Sequence, residues 1–71
     1  MNTEEQLTLA RNAVYLQHAH NPSNYFRLLG RGDNNRLARD IAAETHEIYA
    51  ASKRHGRLVV HVRANRQQPE E

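Results

Sequence analysis

The sequence predicts a mainly α (α+β) fold: a small domain of three helices with one C-terminal β-strand, paired across a homodimer. Apolar residues recur at helical spacing through most of the chain, and the alternation typical of a strand begins only after Gly56. The chain has 71 residues and no cysteine, so its core is small and no disulfide reinforces it. A lone strand cannot satisfy its own backbone hydrogen-bonding groups, and a second copy of the chain would do so.

The first helix is predicted from about Glu4 to His18. Thr3 and Gln6 have the spacing of a capping box, and the acidic residues that follow Thr3 suit the positive end of a helix. The apolar residues at helical spacing are Leu7, Ala10 and Val14, with Leu9, Ala13 and Leu16 beside them. Their number indicates a helix that contacts more than one neighbour.

The second helix is predicted to be short, from about Pro22 to Leu29. Asn21 is a suitable N-cap, proline is favoured at the first helical position, and Gly30 supplies a stop. The third helix is predicted from about Asn35 to Arg54, where it ends before Gly56. Its apolar face comprises Leu37, Ile41 and Ile48.

Residues 57–63 are predicted to form the strand because they alternate, are rich in valine and follow a glycine. Three arrangements are consistent with the sequence of this segment: antiparallel pairing with a second copy, an extended arm against the helices, or continuation of the third helix. We expect one domain over residues 1–63 and a polar, fraying tail over residues 64–71. The predicted core consists of Leu7, Val14, Phe26, Leu29, Leu37, Ile41, Ile48 and Val60.

The net charge of +2 conceals an asymmetry, because four of the eight acidic residues lie at the two ends of the chain. Residues 6–69 carry ten Lys and Arg against Asp33, Asp40, Glu44 and Glu47, a balance of +6, and no acid occurs over residues 48–69. This pattern predicts an anion-binding segment. The candidate nucleic-acid-binding residues are Lys53, Arg54, Arg57, His61, Arg63 and Arg66.

The function predicted first is a small, non-enzymatic regulatory protein that binds nucleic acid through this segment. Two paired copies of the strand would form a basic ribbon of the width that enters a DNA major groove. The absence of aromatic residues within the basic run argues against stacking on single-stranded bases. A helix-turn-helix is a variant of this hypothesis, with Asn34, Asn35, Arg36 and Arg39 near the start of the recognition helix.

The alternative is a small adaptor or inhibitor that binds another protein. Aromatic and arginine side chains dominate binding hot spots. The anchors in that case would be Tyr15, Tyr25, Phe26 and Tyr49, with adjacent arginines. A solvated face that only protects an exposed strand edge also accounts for the arginines.

Other classes of function are not expected. His46-Glu47 lacks the second histidine of a zinc-protease motif, and neither serine has a nucleophile context, so we predict no enzyme activity, metal or cofactor. Apolar runs such as Leu58 to Val60 are far too short to span a bilayer. The acidic N-terminus differs from a signal peptide, so a cytoplasmic protein without membrane contact is expected.

Overall fold

A computed structural model of the chain describes residues 1–19 and 26–65. These residues form two helices and one four-stranded sheet of order β2-β1-β4-β3, in which β1 is parallel to β4 and the other pairs are antiparallel. The elements are α1 (Thr3–Asn12), β1 (Tyr15–His18), β2 (Phe26–Leu28), α2 (Arg31–Ala42), β3 (His46–Arg54) and β4 (Arg57–Ala64). The prediction of a three-helix domain with one strand is therefore wrong.

The first helix starts close to its predicted position but ends six residues early. Its capping box uses Asn2 and Glu5 instead of Thr3 and Gln6: Glu5 N donates to Asn2 Oδ1 at 2.8 Å, and Asn2 N donates to Glu5 Oε1 at 3.1 Å. The chain becomes extended at Ala13, and β1 begins at Tyr15. Val14 and Tyr15 are residue types that favour strands, although Val14 also continues the helical spacing.

The predicted second helix is contradicted where the structure describes it. Phe26–Leu28 is extended and pairs antiparallel with β1, while the start of the predicted helix lies outside the described residues. The helix-turn-helix variant loses its first helix for the same reason.

The predicted third helix divides into α2 and β3. The helix ends at Ala42 because Glu44 adopts a left-handed conformation with φ of 64°. The Thr45 hydroxyl donates to the Asp40 carbonyl at 3.1 Å, which satisfies a carbonyl group in the last turn. A left-handed helix stop is usually marked by glycine or asparagine, so glutamate at this position gives no stop signal in the sequence.

The C-terminal strand finds its partners within the chain. β4 lies between β1 and β3, with Val60 opposite Leu16 on one side and opposite Ala51 on the other. Pairing of this strand across a homodimer was therefore a wrong prediction, because its backbone groups are already bonded along both sides.

A two-residue turn joins β3 to β4. His55 and Gly56 have φ values of 54° and 77°, and positive φ at both central residues is typical of type I′ hairpin turns. Arg54 and Arg57 are directly opposite on either side of this turn. Glycine tolerates such a φ without cost, and histidine is among the residue types that adopt it more often than most.

Both helices pack on one face of the sheet and enclose the core. Five members of the predicted core are confirmed as buried: Leu29, Leu37, Ile41, Ile48 and Val60. Leu7 and Val14 are half-buried, and the side chain of Phe26 lies outside the described part. The remaining core residues are Ala10, Ala13, Leu16 and Val62, with Val59 buried on the other face of β4.

Asn34 ties the start of α2 to the end of α1. Its side-chain amide donates to the carbonyls of Ala10 at 2.6 Å and Ala13 at 3.0 Å, and it is partly buried. Those carbonyls lie at the C-terminal end of α1, where helical partners are missing. The same side chain was a candidate base-reading group in the helix-turn-helix variant, and in the structure it is engaged inside the fold.

We expect Asn34→Ala to lower the free energy of unfolding by about 1–3 kcal/mol, because two partly buried carbonyls lose their donor. Asn35→Ala is the matched control, since the neighbouring side chain is exposed. The control should change stability by no more than about 0.5 kcal/mol. Urea denaturation monitored by circular dichroism measures both, and equal losses would show that the Asn34 contacts contribute nothing specific.

Candidate functional site

The predicted binding residues are brought together in part at the tip of the β3–β4 hairpin. Lys53, Arg54 and Arg57 are exposed there, together with His55, which the sequence hypothesis did not include. Residues 53–57, here called the basic turn, are therefore cationic or histidine at four of five positions. Arg66, the last predicted residue, lies outside the described part of the chain.

The basic turn projects from the sheet. The β1–β4 register begins at Val59, whereas the last β3–β4 pairs, Lys53 with Leu58 and Arg54 with Arg57, lie beyond it. Residues 51–57 are all exposed. The molecule measures 42 Å along its longest axis and 27 Å and 22 Å along the others. The tip of the hairpin is consequently accessible from both faces.

Alternation along the strands assigns each cation to a face. Leu58 and Val60 pack on the helix side, so Arg57 points to the opposite face, called the open face, and Arg54 shares it as the register partner. Lys53 pairs with Leu58 and lies on the helix side of the hairpin. Arg54 and Arg57 therefore place two guanidinium groups on one face, where both can donate hydrogen bonds to the same anion.

Two further predicted residues, Arg63 and His61, make side-chain contacts on the open face. Arg63 Nε donates to Glu47 Oε2 at 2.6 Å, and its guanidinium carbon lies 5.0 Å from the centre of the Tyr49 ring. His61 Nε2 lies 3.1 Å from Ser52 Oγ. Because Glu47 neutralises Arg63, the prediction that Arg63 acts as a primary phosphate contact has less support than the same prediction for Arg57.

A β-bulge brings Tyr49 into the site. The register shifts between Ile48 and Ala50, so Tyr49 and Ala50 together face His61. The rings of Tyr49 and His61 are 6.2 Å apart and tilted by 54°. The sequence hypothesis counted no aromatic residue within the basic run, and pairing of β3 with β4 supplies one from the neighbouring strand. The sequence did contain one signal for this pairing, the dipeptide His55-Gly56, which forms the turn between β3 and β4. The sequence analysis interpreted Gly56 as the end of a helix.

A cleft of about 500 Å³ lies where β1 meets the hairpin. It is lined by Tyr15, Arg54, His55 and Arg57. An aromatic ring beside two guanidinium groups offers an apolar face and a positive charge to the same ligand. Its volume falls in the range of small-ligand sites, which are about 300–1,000 Å³.

A second polar cluster lies on the helix side. The rings of His18 and His46 meet edge to face at 5.7 Å, and His46 Nδ1 lies 3.8 Å from Asp40 Oδ2. Within residues 1–19 and 26–65, no group of three His, Asp or Glu side chains is placed to hold a metal ion. Nearby, the pKa of Asp33 is lowered because its carboxylate accepts the Gly30 backbone N–H and then because Arg27 lies 3.1 Å away.

Comparisons with protein-family models, curated proteins and solved structures found no match to this chain. The assignment of function therefore depends on the site alone. In the described ranges, neither helix is long and apolar enough to span a bilayer.

Proposed function

We propose that this protein is a small non-enzymatic regulatory protein that binds nucleic acid through the basic turn. The observation that carries the proposal is the projecting hairpin tip, where Lys53, Arg54 and Arg57 are exposed around His55. The sequence has no carboxylate from residue 48 to residue 69. An exposed concentration of one charge attracts a polyanion, and phosphate contacts dominate affinity for nucleic acid.

The shape of the site also suits a polyanion. Arg54, His55 and Arg57 line one cleft, and Lys53 lies on the opposite side of the same narrow ribbon. Arginine can donate two parallel hydrogen bonds to a phosphate, so a guanidinium pair is an effective clamp. Glu47, a carboxylate on the open face, is bonded to Arg63 near the far end of the sheet from the turn.

Fluorescence anisotropy with labelled DNA and RNA, single-stranded and duplex, across a salt series tests the proposal. With two to four phosphates contacted, the slope of log affinity against log salt should be about −1.5 to −3.5. Absence of binding at low salt, or binding without salt dependence, would reject the proposal.

The second candidate remains an adaptor or inhibitor that binds another protein. Leu28 is 64% exposed and Tyr49 is 42% exposed, and exposed apolar and aromatic side chains of this kind can anchor a partner. Tyr15 lies opposite Leu28 in the register and would extend the same surface. Tyr25 and the Phe26 side chain, the other predicted anchors, lie outside the described residues. In this case Leu28→Ala should weaken partner binding and leave oligonucleotide binding unchanged.

A further inference from the structure

Among the described residues, Tyr15 and Tyr49 lie on the open face on either side of β4. Tyr15 on β1 is opposite Val59, and Tyr49 lies in the bulge of β3 beside Ala50, the register partner of His61. β4 lies between β1 and β3, so two strand spacings separate the outer two strands. Along β4, Val59 and His61 are two residues apart. The two tyrosine backbones are therefore offset by about 10 Å across the strands and about 7 Å along them.

Tyr49 is held in place while remaining accessible. The Arg63 guanidinium packs over its ring, and Glu47 fixes that guanidinium through the 2.6 Å hydrogen bond. The tyrosine is nonetheless 42% exposed. A pre-oriented, partly exposed ring loses little conformational entropy when a flat ligand stacks on it.

Tyr15 contributes to a site with both apolar and positive parts. It is half-buried, and it lines the cleft that also contains Arg54 and Arg57. A nucleotide offers the complementary pair of features, because its base has a π-face and its phosphate is an anion. Stacking of bases on aromatic side chains beside a positive groove is the general way in which proteins hold single strands.

We infer that the open face binds single-stranded nucleic acid. One base stacks on Tyr15 with its phosphate between Arg54 and Arg57, and a second base stacks at Tyr49. This inference rests on the proposed function and specifies its ligand. A duplex hides the faces of its bases, so it would use the cations of the hairpin without the tyrosines.

Arg57 and Lys53 are exposed cations on opposite sides of the hairpin, and their substitution distinguishes binding of a single strand from binding of a duplex. Arg57→Gln removes a charge from the open face, and Lys53→Gln removes one from the helix side. With a labelled single strand of about twelve nucleotides, Arg57→Gln should weaken binding roughly tenfold and Lys53→Gln less than about twofold. Equal losses would indicate that the hairpin enters a groove and would overturn the inference.

Substitution of Tyr49 tests stacking separately from charge. Tyr49→Ala should weaken single-strand binding roughly 5- to 100-fold and leave duplex binding unchanged, while Tyr49→Phe should retain affinity. Thermal unfolding confirms that each variant is folded before binding is measured. A folded Tyr49→Ala variant with unchanged single-strand affinity would overturn the inference.

The probes are oligouridine, oligothymidine and a DNA duplex of matched length. Stronger binding of either single strand than of the duplex supports the inference, and comparison of the first two shows whether RNA or DNA is preferred. Duplex binding at least tenfold tighter than single-strand binding would reject the inference while leaving the proposed function in place. Absence of binding to all three at low salt would reject both.

Discussion

Replacing Ile41 with alanine is expected to lower the free energy of unfolding by about 2–5 kcal/mol. Ile41 is 3% exposed and lies in the cluster that joins both helices to the sheet. Its truncation removes buried apolar surface and leaves a cavity that the surrounding side chains fill only in part. Small domains have a total stability of about 5–15 kcal/mol, so the variant should unfold at a much lower urea concentration.

Leu28→Ala is the matched control, because it also shortens a large aliphatic side chain to a methyl group. Leu28 is 64% exposed, so the loss should be no more than about 0.5 kcal/mol. Urea denaturation followed by circular dichroism measures both variants. A loss for Ile41→Ala as small as that of the control would mean that the described face of α2 does not pack on the sheet.

The double substitution Arg54→Gln/Arg57→Gln is expected to have the largest effect on ligand binding. If each guanidinium contacts one phosphate, the slope of log affinity against log salt should become less steep by about two units. Stability should change by no more than about 0.5 kcal/mol, because both arginines are exposed. Anisotropy across a salt series gives the slope, and thermal unfolding gives the stability.

A matched control removes two exposed arginines from α2, Arg31→Gln/Arg39→Gln. The change in net charge is the same, so any effect of overall charge appears in both variants. The α2 variant should retain a slope within about half a unit of the unmodified protein. Indistinguishable slopes for the two double variants would show that binding depends on overall charge and not on the basic turn.

The sequence predicted the core better than it predicted the elements. Leu37, Ile41 and Ile48 are buried as expected, because apolar periodicity identifies residues that face a core in either kind of element. The division between α2 and β3 was missed because the left-handed residue that separates them is Glu44. Neither a glycine nor a proline interrupts the segment, so local signals favoured one long helix.

The sequence also predicted only part of the candidate site. The basic segment was found from charge alone, and Lys53, Arg54 and Arg57 do lie together at the hairpin tip. Its aromatic component depends on the pairing of β3 with β4 and on the bulge beside Ile48. Contacts of that kind join residues distant in sequence and depend on register, which single-sequence patterns do not specify.

Nucleic acid is proposed to bind at the basic turn and the adjoining open face. The most direct test is to map the backbone amide chemical shifts of the protein during titration with an oligonucleotide. The largest shift changes are predicted within residues 49–61 and at Tyr15, while the amides of α1 and α2 remain nearly unchanged. Shift changes confined to α1 and α2, with the hairpin unaffected at saturation, would contradict the claim.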